Sequence, residues 1–149
     1  MGRGTTDYAF YHRGCIVRTG SIPVGGEHVT NDLSVGLRVV RESAEDLKIR
    51  HGAATVLEED KGRTHHLYGD LKIGDKSLYA SSINRVIEVR MEELFELIRD
   101  ECGANELKNA AVNTLLTGGG SRLTRWTELA ERAFGVPARF AENPIFFFF

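Results

Sequence analysis

The sequence predicts an α/β fold, a mixed sheet with packed helices plus a small inserted subdomain. Three observations predict it. β-forming residues alternate near the N-terminus over 5–11 and return over 15–19. Four later stretches carry apolar residues at helical spacing. A short apolar run at 111–116 separates the last two of those stretches, giving the strand-then-helix order of a layered α/β domain.

In the first strand Thr6, Tyr8 and Phe10 alternate with Asp7, Ala9 and Tyr11, and His12-Arg13-Gly14 reads as a hairpin turn. Ser21-Ile22-Pro23-Val24 reads as a third extended piece, which Pro23 places at an edge or a strand end. Gly25-Gly26 breaks the strand pattern. A helix is then expected over about 27–38, with Val29, Leu33 and Leu37 on one face. A second opens near Glu42, presents Ala44 and Leu47, and closes at Gly52. Residues 53–80 are polar and turn-rich, with weak alternation in Thr55-Val56-Leu57 and Leu71-Lys72-Ile73; they are expected to form a small β element or a loop region.

The longest helix is expected over 82–102, with Ser82 as its N-cap and Ile83, Ile87, Met91, Leu94, Phe95 and Ile98 along its apolar face. A buried strand follows at 111–116, then a helix carrying Leu123, Trp126, Leu129, Ala130, Ala133 and Phe134 as far as Gly135. Ala138-Arg139-Phe140 reads as a last edge strand. The expected organisation is a large subdomain begun by residues 1–33, a small insertion at 34–81, and completion of the large subdomain by 82–149.

The chain has 149 residues, 42% apolar and 27% charged, which suits one soluble domain with a small subdomain. A net charge of -2 and scattered arginines argue against nucleic acid as a partner. Cys15 and Cys102 stand far apart, with no CxxC pair, so a disulfide framework is not indicated and a reducing, cytosolic setting is expected. No apolar run approaches the roughly 18 residues that span a bilayer. The chain opens inside a strand-to-turn motif without the preceding strand, and it ends in a run from Phe146 to Phe149, where truncation or a sequencing or frame error is expected rather than a hydrophobic anchor.

Three glycine-rich turns carry the chemistry. Gly2-Arg3-Gly4-Thr5-Thr6-Asp7 borders the first strand, where glycines let backbone amides approach phosphate oxygens and the Thr5 and Thr6 hydroxyls stand near a terminal phosphate. Gly25-Gly26 precedes a helix. Leu116-Thr117-Gly118-Gly119-Gly120-Ser121 follows a buried strand and opens a helix, where amides and a helix N-terminus converge. It is neither a dinucleotide fingerprint nor a Walker A loop. Three consecutive glycines imply that something bulky passes close by, either a ligand or a packed segment.

Three such turns across one α/β chain are the layout of the second half of the actin-like ATP-binding fold. The runs Gly4-Thr5-Thr6-Asp7-Tyr8, Gly20-Ser21-Ile22-Pro23-Val24-Gly25-Gly26-Glu27-His28-Val29-Thr30-Asn31-Asp32-Leu33 and Ala44-Glu45-Asp46-Leu47-Lys48 resemble the bacterial cell-division family FtsA. Glu88-Val89-Arg90-Met91-Glu92-Glu93-Leu94 and the triple-glycine run continue that resemblance in order. It implies an actin-like (ribonuclease H-like) lobe. Gly2, Gly4, Thr5 and Thr6 would then face the β- and γ-phosphates of ATP, and Gly26, Glu45, Lys48, Gly118, Gly119 and Gly120 would border the adenosine. Without the family, Glu45 and Lys48 read as a plain i, i+3 surface ion pair.

The resemblance also implies FtsZ, whose tail would dock on the small subdomain at about 34–81, and self-association into actin-like filaments. It implies a cytoplasmic location at the inner face of the plasma membrane at the division site, in septum assembly. Two departures stand out. Arg3 occupies a position where the family usually has glycine, and the acidic residue that orders Mg2+ in the family would precede Met1. The other half of the cleft is also outside this chain, so ATP hydrolysis is not expected, and the isolated polypeptide is expected to lack ligand affinity of its own. An enzyme of the sugar or acetate kinase class, or a lobe of a DnaK- or MreB-like protein, are the alternatives on the same fold.

Elsewhere, His51, His65, His66 and Asp70 match no metal-ligand spacing and read as a solvated loop. Glu88, Glu92 and Glu96 read as a solvent-facing acidic row, and no GxSxG elbow supports a hydrolase.

Overall fold

The apolar spacing of the long helix makes it the spine of the molecule. A computed structural model describes residues 1–103 and 113–141. The elements are β1 (Thr6–His12), β2 (Cys15–Ile22), α1 (Gly26–Leu37), α2 (Arg41–His51), β3 (Thr64–Asp70), β4 (Gly74–Tyr79), α3 (Ala80–Cys102), β5 (Thr114–Leu116), α4 (Trp126–Phe134) and β6 (Ala138–Phe140), with 3-10 turns at Glu58–Asp60 and Gly119–Arg122.

Ile83, Ile87, Met91 and Leu94 of α3 are fully buried. They pack in one cluster with Val29 and Leu33 of α1, Ala44 and Leu47 of α2, Ile22 of β2, Leu78 of β4, and Trp126, Leu129 and Ala130 of α4. Phe95 meets Trp126 and Phe134 edge-on, with ring centroids 5.3 and 5.1 Å away. Offset or edge contacts of this kind suit the ring quadrupoles and add to the burial they accompany. Arg90 of α3 grips Asp32 of α1 through two hydrogen bonds, 2.5 and 3.0 Å.

Strand pairing is piecemeal. Among the described residues β1 pairs antiparallel with β2, β3 with β4, and β5 parallel with β6. The α/β class matches the expectation from sequence, while the expected mixed sheet is drawn as three two-stranded pieces.

Several local expectations need correction. Ser21 and Ile22 are the end of β2, opposite Asp7 and Thr6, so the third extended piece is not separate. The Thr55-Val56-Leu57 alternation forms no strand, and Leu71-Lys72-Ile73 is the turn between β3 and β4. Asp70 makes that turn by accepting hydrogen bonds from the amides of Lys72 and Ile73. A short polar side chain that mimics a backbone turn outcompetes a weak strand pattern. α3 begins two residues before Ser82, without a side-chain cap. The glycine run opens a 3-10 turn rather than an α-helix, which leaves Leu123 outside α4. Residues 111–112 of the expected C-terminal strand, and the phenylalanine run, lie outside the described residues.

The acidic row also divides. Glu88 is buried and receives Arg132 at 2.8 Å and Arg85 at 3.0 Å, tying α3 to α4. Its neighbour Glu92 shares Arg132 at 2.7 Å, while Glu96 is exposed. A boundary at residue 34 falls inside α1, and α2 shares the common core through Ala44 and Leu47.

Candidate functional site

The three glycine-rich turns meet. Gly2 closes the first turn on itself, its amide donating to the Thr5 carbonyl at 2.8 Å. The carbonyls of Gly2 and Arg3 then accept from the amides of Gly26 (3.0 Å) and Glu27 (2.8 Å), which seats the turn on the first turn of α1. That contact explains Gly25, which sequence reasoning passed over in favour of Gly26. A Cβ at Gly25 would lie 2.5 Å from the Arg3 carbonyl oxygen, closer than real side chains come. A Cβ at Gly26 would meet only ordinary contacts, at 3.5 Å or beyond. The doublet was legible in the sequence, but which glycine bears the steric demand is a tertiary fact.

From Gly26 the contacts continue to α2. Lys48 Nζ donates to the Gly26 carbonyl (3.0 Å), Thr30 Oγ1 (2.8 Å) and Glu45 Oε2 (2.7 Å). Thr30 also hydrogen-bonds Glu45. Burial pushes the Glu45 carboxyl up, but the bonds from Lys48 and Thr30 outweigh it, so Glu45 sits below its ordinary pKa and stays ionised. Lys48 is thus mostly buried, with 16% of its side chain exposed, and is more than one end of a surface ion pair. Thr30, hidden in the sequence as a mid-helix residue, is its third partner.

On the other side the triple glycine closes around Met1. The Gly120 amide donates to the Met1 carbonyl (3.1 Å), and the Met1 nitrogen donates to the Thr117 carbonyl (2.9 Å). Gly118 has φ +91, and a Cβ there would sit 2.7 Å from the Met1 carbonyl oxygen. At Gly120 it would sit 2.3 Å from the Met1 side chain. The close-passing segment that three glycines imply is therefore residue 1. Gly119 and Gly4 have open space around them.

Thr5 is exposed, whereas Thr6 is buried and its hydroxyl donates to the Val24 carbonyl at 2.7 Å. Of the two hydroxyls expected near a phosphate, one is thus committed to holding β1 against the chain entering α1. Asp60 and Arg125 drew no attention in the sequence. Asp60 is fully buried and accepts from Arg125 at 2.6 and 3.1 Å, Asn84 at 3.1 Å, Arg63 at 3.0 Å and the Leu57 amide at 2.9 Å. The Arg125 guanidinium foremost holds its carboxyl far below the ordinary range. This cluster fixes the exit of the triple-glycine loop, where the Ala54 amide donates to the Thr124 carbonyl at 2.8 Å.

The histidines have other neighbours: His51 and His65 stack at 3.9 Å, His66 bonds Ser77, and Asp70 accepts from the Val40 amide as well as its own turn. Among the described residues, no helix is long and apolar enough to cross a membrane.

Comparison with known proteins places this geometry in context. The family model described as Cell division protein FtsA matches residues 1–146. Cell division protein FtsA of Pseudomonas aeruginosa is 36% identical over 145 residues, covering 93% of this chain and 34% of that protein. The Neisseria meningitidis protein of the same description is 34% identical over 144 residues, with 93% and 34% covered. The chain therefore spans about a third of the length of these curated relatives. Among solved structures, MreB5 of Spiroplasma citri bound to ADP superposes with a TM-score of 0.75 at 21% identity, over 95% of this chain and 47% of that one. Ethanolamine utilization protein EutJ of Carboxydothermus hydrogenoformans gives 0.62 at 22% identity, over 97% and 43%. These two likenesses establish an actin-like fold.

Proposed function

The chain belongs to the FtsA family of cell division proteins, and from that premise we propose that it forms one wall of an ATP cleft in a non-enzymatic cytoskeletal adaptor. The observation that carries this reading is the continuous line of contacts from Gly120 through Met1, Gly2 and Gly26 to Lys48. In it, Gly2, Gly4 and Thr5 take the β- and γ-phosphates, with Thr6 supporting them from beneath. Gly26, Glu45, Lys48 and Gly118 to Gly120 border the adenosine. The residues fit such a ligand: the amides of Arg3, Gly4 and Thr5 donate to no group among the described residues, and successive free amides form an anion cradle. Mg2+ would be held chiefly through the phosphates, since Glu27 is engaged by Arg3 and Arg41, with Asp7 the other carboxylate of the turn.

Since bonds within this chain hold the turns together, the wall needs little ordering on binding. In place of the expected lack of affinity, a half-cleft ordered in advance favours weak binding, roughly millimolar, over none. Binding here would support self-association into actin-like filaments. The rest of the reading concerns FtsZ: its tail would dock within residues 34–81, and the parent protein would link FtsZ filaments to the inner face of the membrane at the septum. In support, the β3–β4 hairpin leaves Tyr68 and Leu71 75% and 91% exposed beside Lys72 and Lys76.

Calorimetric titration of the folded chain with an FtsZ tail peptide tests the docking. Heat that disappears in Leu71→Asp supports it; no heat at millimolar peptide contradicts it.

A further inference from the structure

Arg3 stands between Gly2 and Gly4, with its side chain 85% exposed. Its Nε donates to Glu27, and its carbonyl accepts from the Glu27 amide at 2.8 Å, so it is anchored from two sides to the start of α1. Only one edge of the guanidinium is used. Nη1 and Nη2 have no partner among the described residues. That outer edge is the two-nitrogen fork that matches a phosphate. Arg41 also reaches Glu27, at 3.4 Å, so two cations share that one carboxylate.

We propose that Arg3 makes this turn select by charge, its free guanidinium edge adding a bidentate contact to the outermost phosphate of a nucleoside triphosphate. The inference rests on reading the turn as a phosphate cradle. The unengaged amides of Arg3, Gly4 and Thr5 hold the phosphate nearer the backbone, while the exposed side chain extends to the one that projects furthest. A diphosphate offers the amides their ligand but leaves the fork without one. Glu27 is the positioning residue, because it holds the Nε side and leaves the other edge outward.

The test is a titration of the 15N-labelled chain with ATP and with ADP, following the amides of Arg3, Gly4 and Thr5, in the native chain, Arg3→Gly and Arg3→Lys. The native chain binds ATP several-fold tighter than ADP. Arg3→Gly loses several-fold in ATP affinity and most of the gap between the two nucleotides, leaving only what the backbone amides contribute. Arg3→Lys keeps the charge without the fork and recovers only part of the preference. An unchanged melting temperature is expected for both variants, since the side chain is exposed. Binding with no ATP preference in the native chain, or a preference undiminished in Arg3→Gly, overturns this inference alone. No shift at these amides with either nucleotide overturns the phosphate reading with it.

Discussion

Gly118, Asp60 and Asp70 each carry a consequence that one substitution exposes. Gly118→Ala places a Cβ against Met1 at a positive φ, so the variant is expected to lose about 1–3 kcal/mol of stability in urea unfolding. Asp60→Ala removes the buried carboxylate from the Arg125 guanidinium, which is 12% exposed, and leaves it only the more exposed Glu59 at 3.2 Å and the Thr55 carbonyl. Breaking one side of a buried pair costs about 3–5 kcal/mol, enough to unfold much of a small domain. Asp70 supplies a pH signature. Burial pushes its carboxyl up, but hydrogen bonds from Ser43 and from the amides of Val40, Lys72 and Ile73 win, holding it at about 2. Its folded pKa thus lies below the unfolded value of about 3.9. The stability it contributes is full above that value and is lost as pH falls toward 2. Urea unfolding at pH 5 and pH 2.5 checks this: Asp70→Asn should lose less stability between the two than the native chain does.

The elements reveal which signals the sequence carried. α3 was legible because Ile83, Ile87, Met91 and Leu94 recur at helical spacing and all four are fully buried. Met91→Ala is accordingly expected to cost about 2–5 kcal/mol in the same unfolding assay, from lost burial plus the cavity it leaves. β1 and β2 were legible from alternation and from the Arg13-Gly14 turn, where both residues take positive φ. β3 and β4 were not. His65, Leu67 and Leu78 give only a thin apolar face, and the turn depends on what the Asp70 carboxylate accepts. The start of α4 was missed for a related reason: Arg125 adopts φ +60 to reach Asp60, a choice made by a partner 65 residues away.

For the whole molecule, glycine positions announced turns but not their neighbours. Nothing in the spacing of Gly2, Gly26 and Gly118 says that Met1 sits in the triple glycine while Gly2 and Arg3 reach the start of α1, or that Lys48 and Thr30 close the far side. Those contacts turn three local signals into one surface. The central claim is that this surface is a nucleotide wall. The most direct test is a map of backbone amide shifts in the folded, 15N-labelled chain on titration with ATP to millimolar concentration. The account predicts that Arg3 to Thr5, Gly26 and Gly118 to Gly120 shift together, with one apparent affinity. Shifts confined to one turn, or lying away from all three, would contradict it.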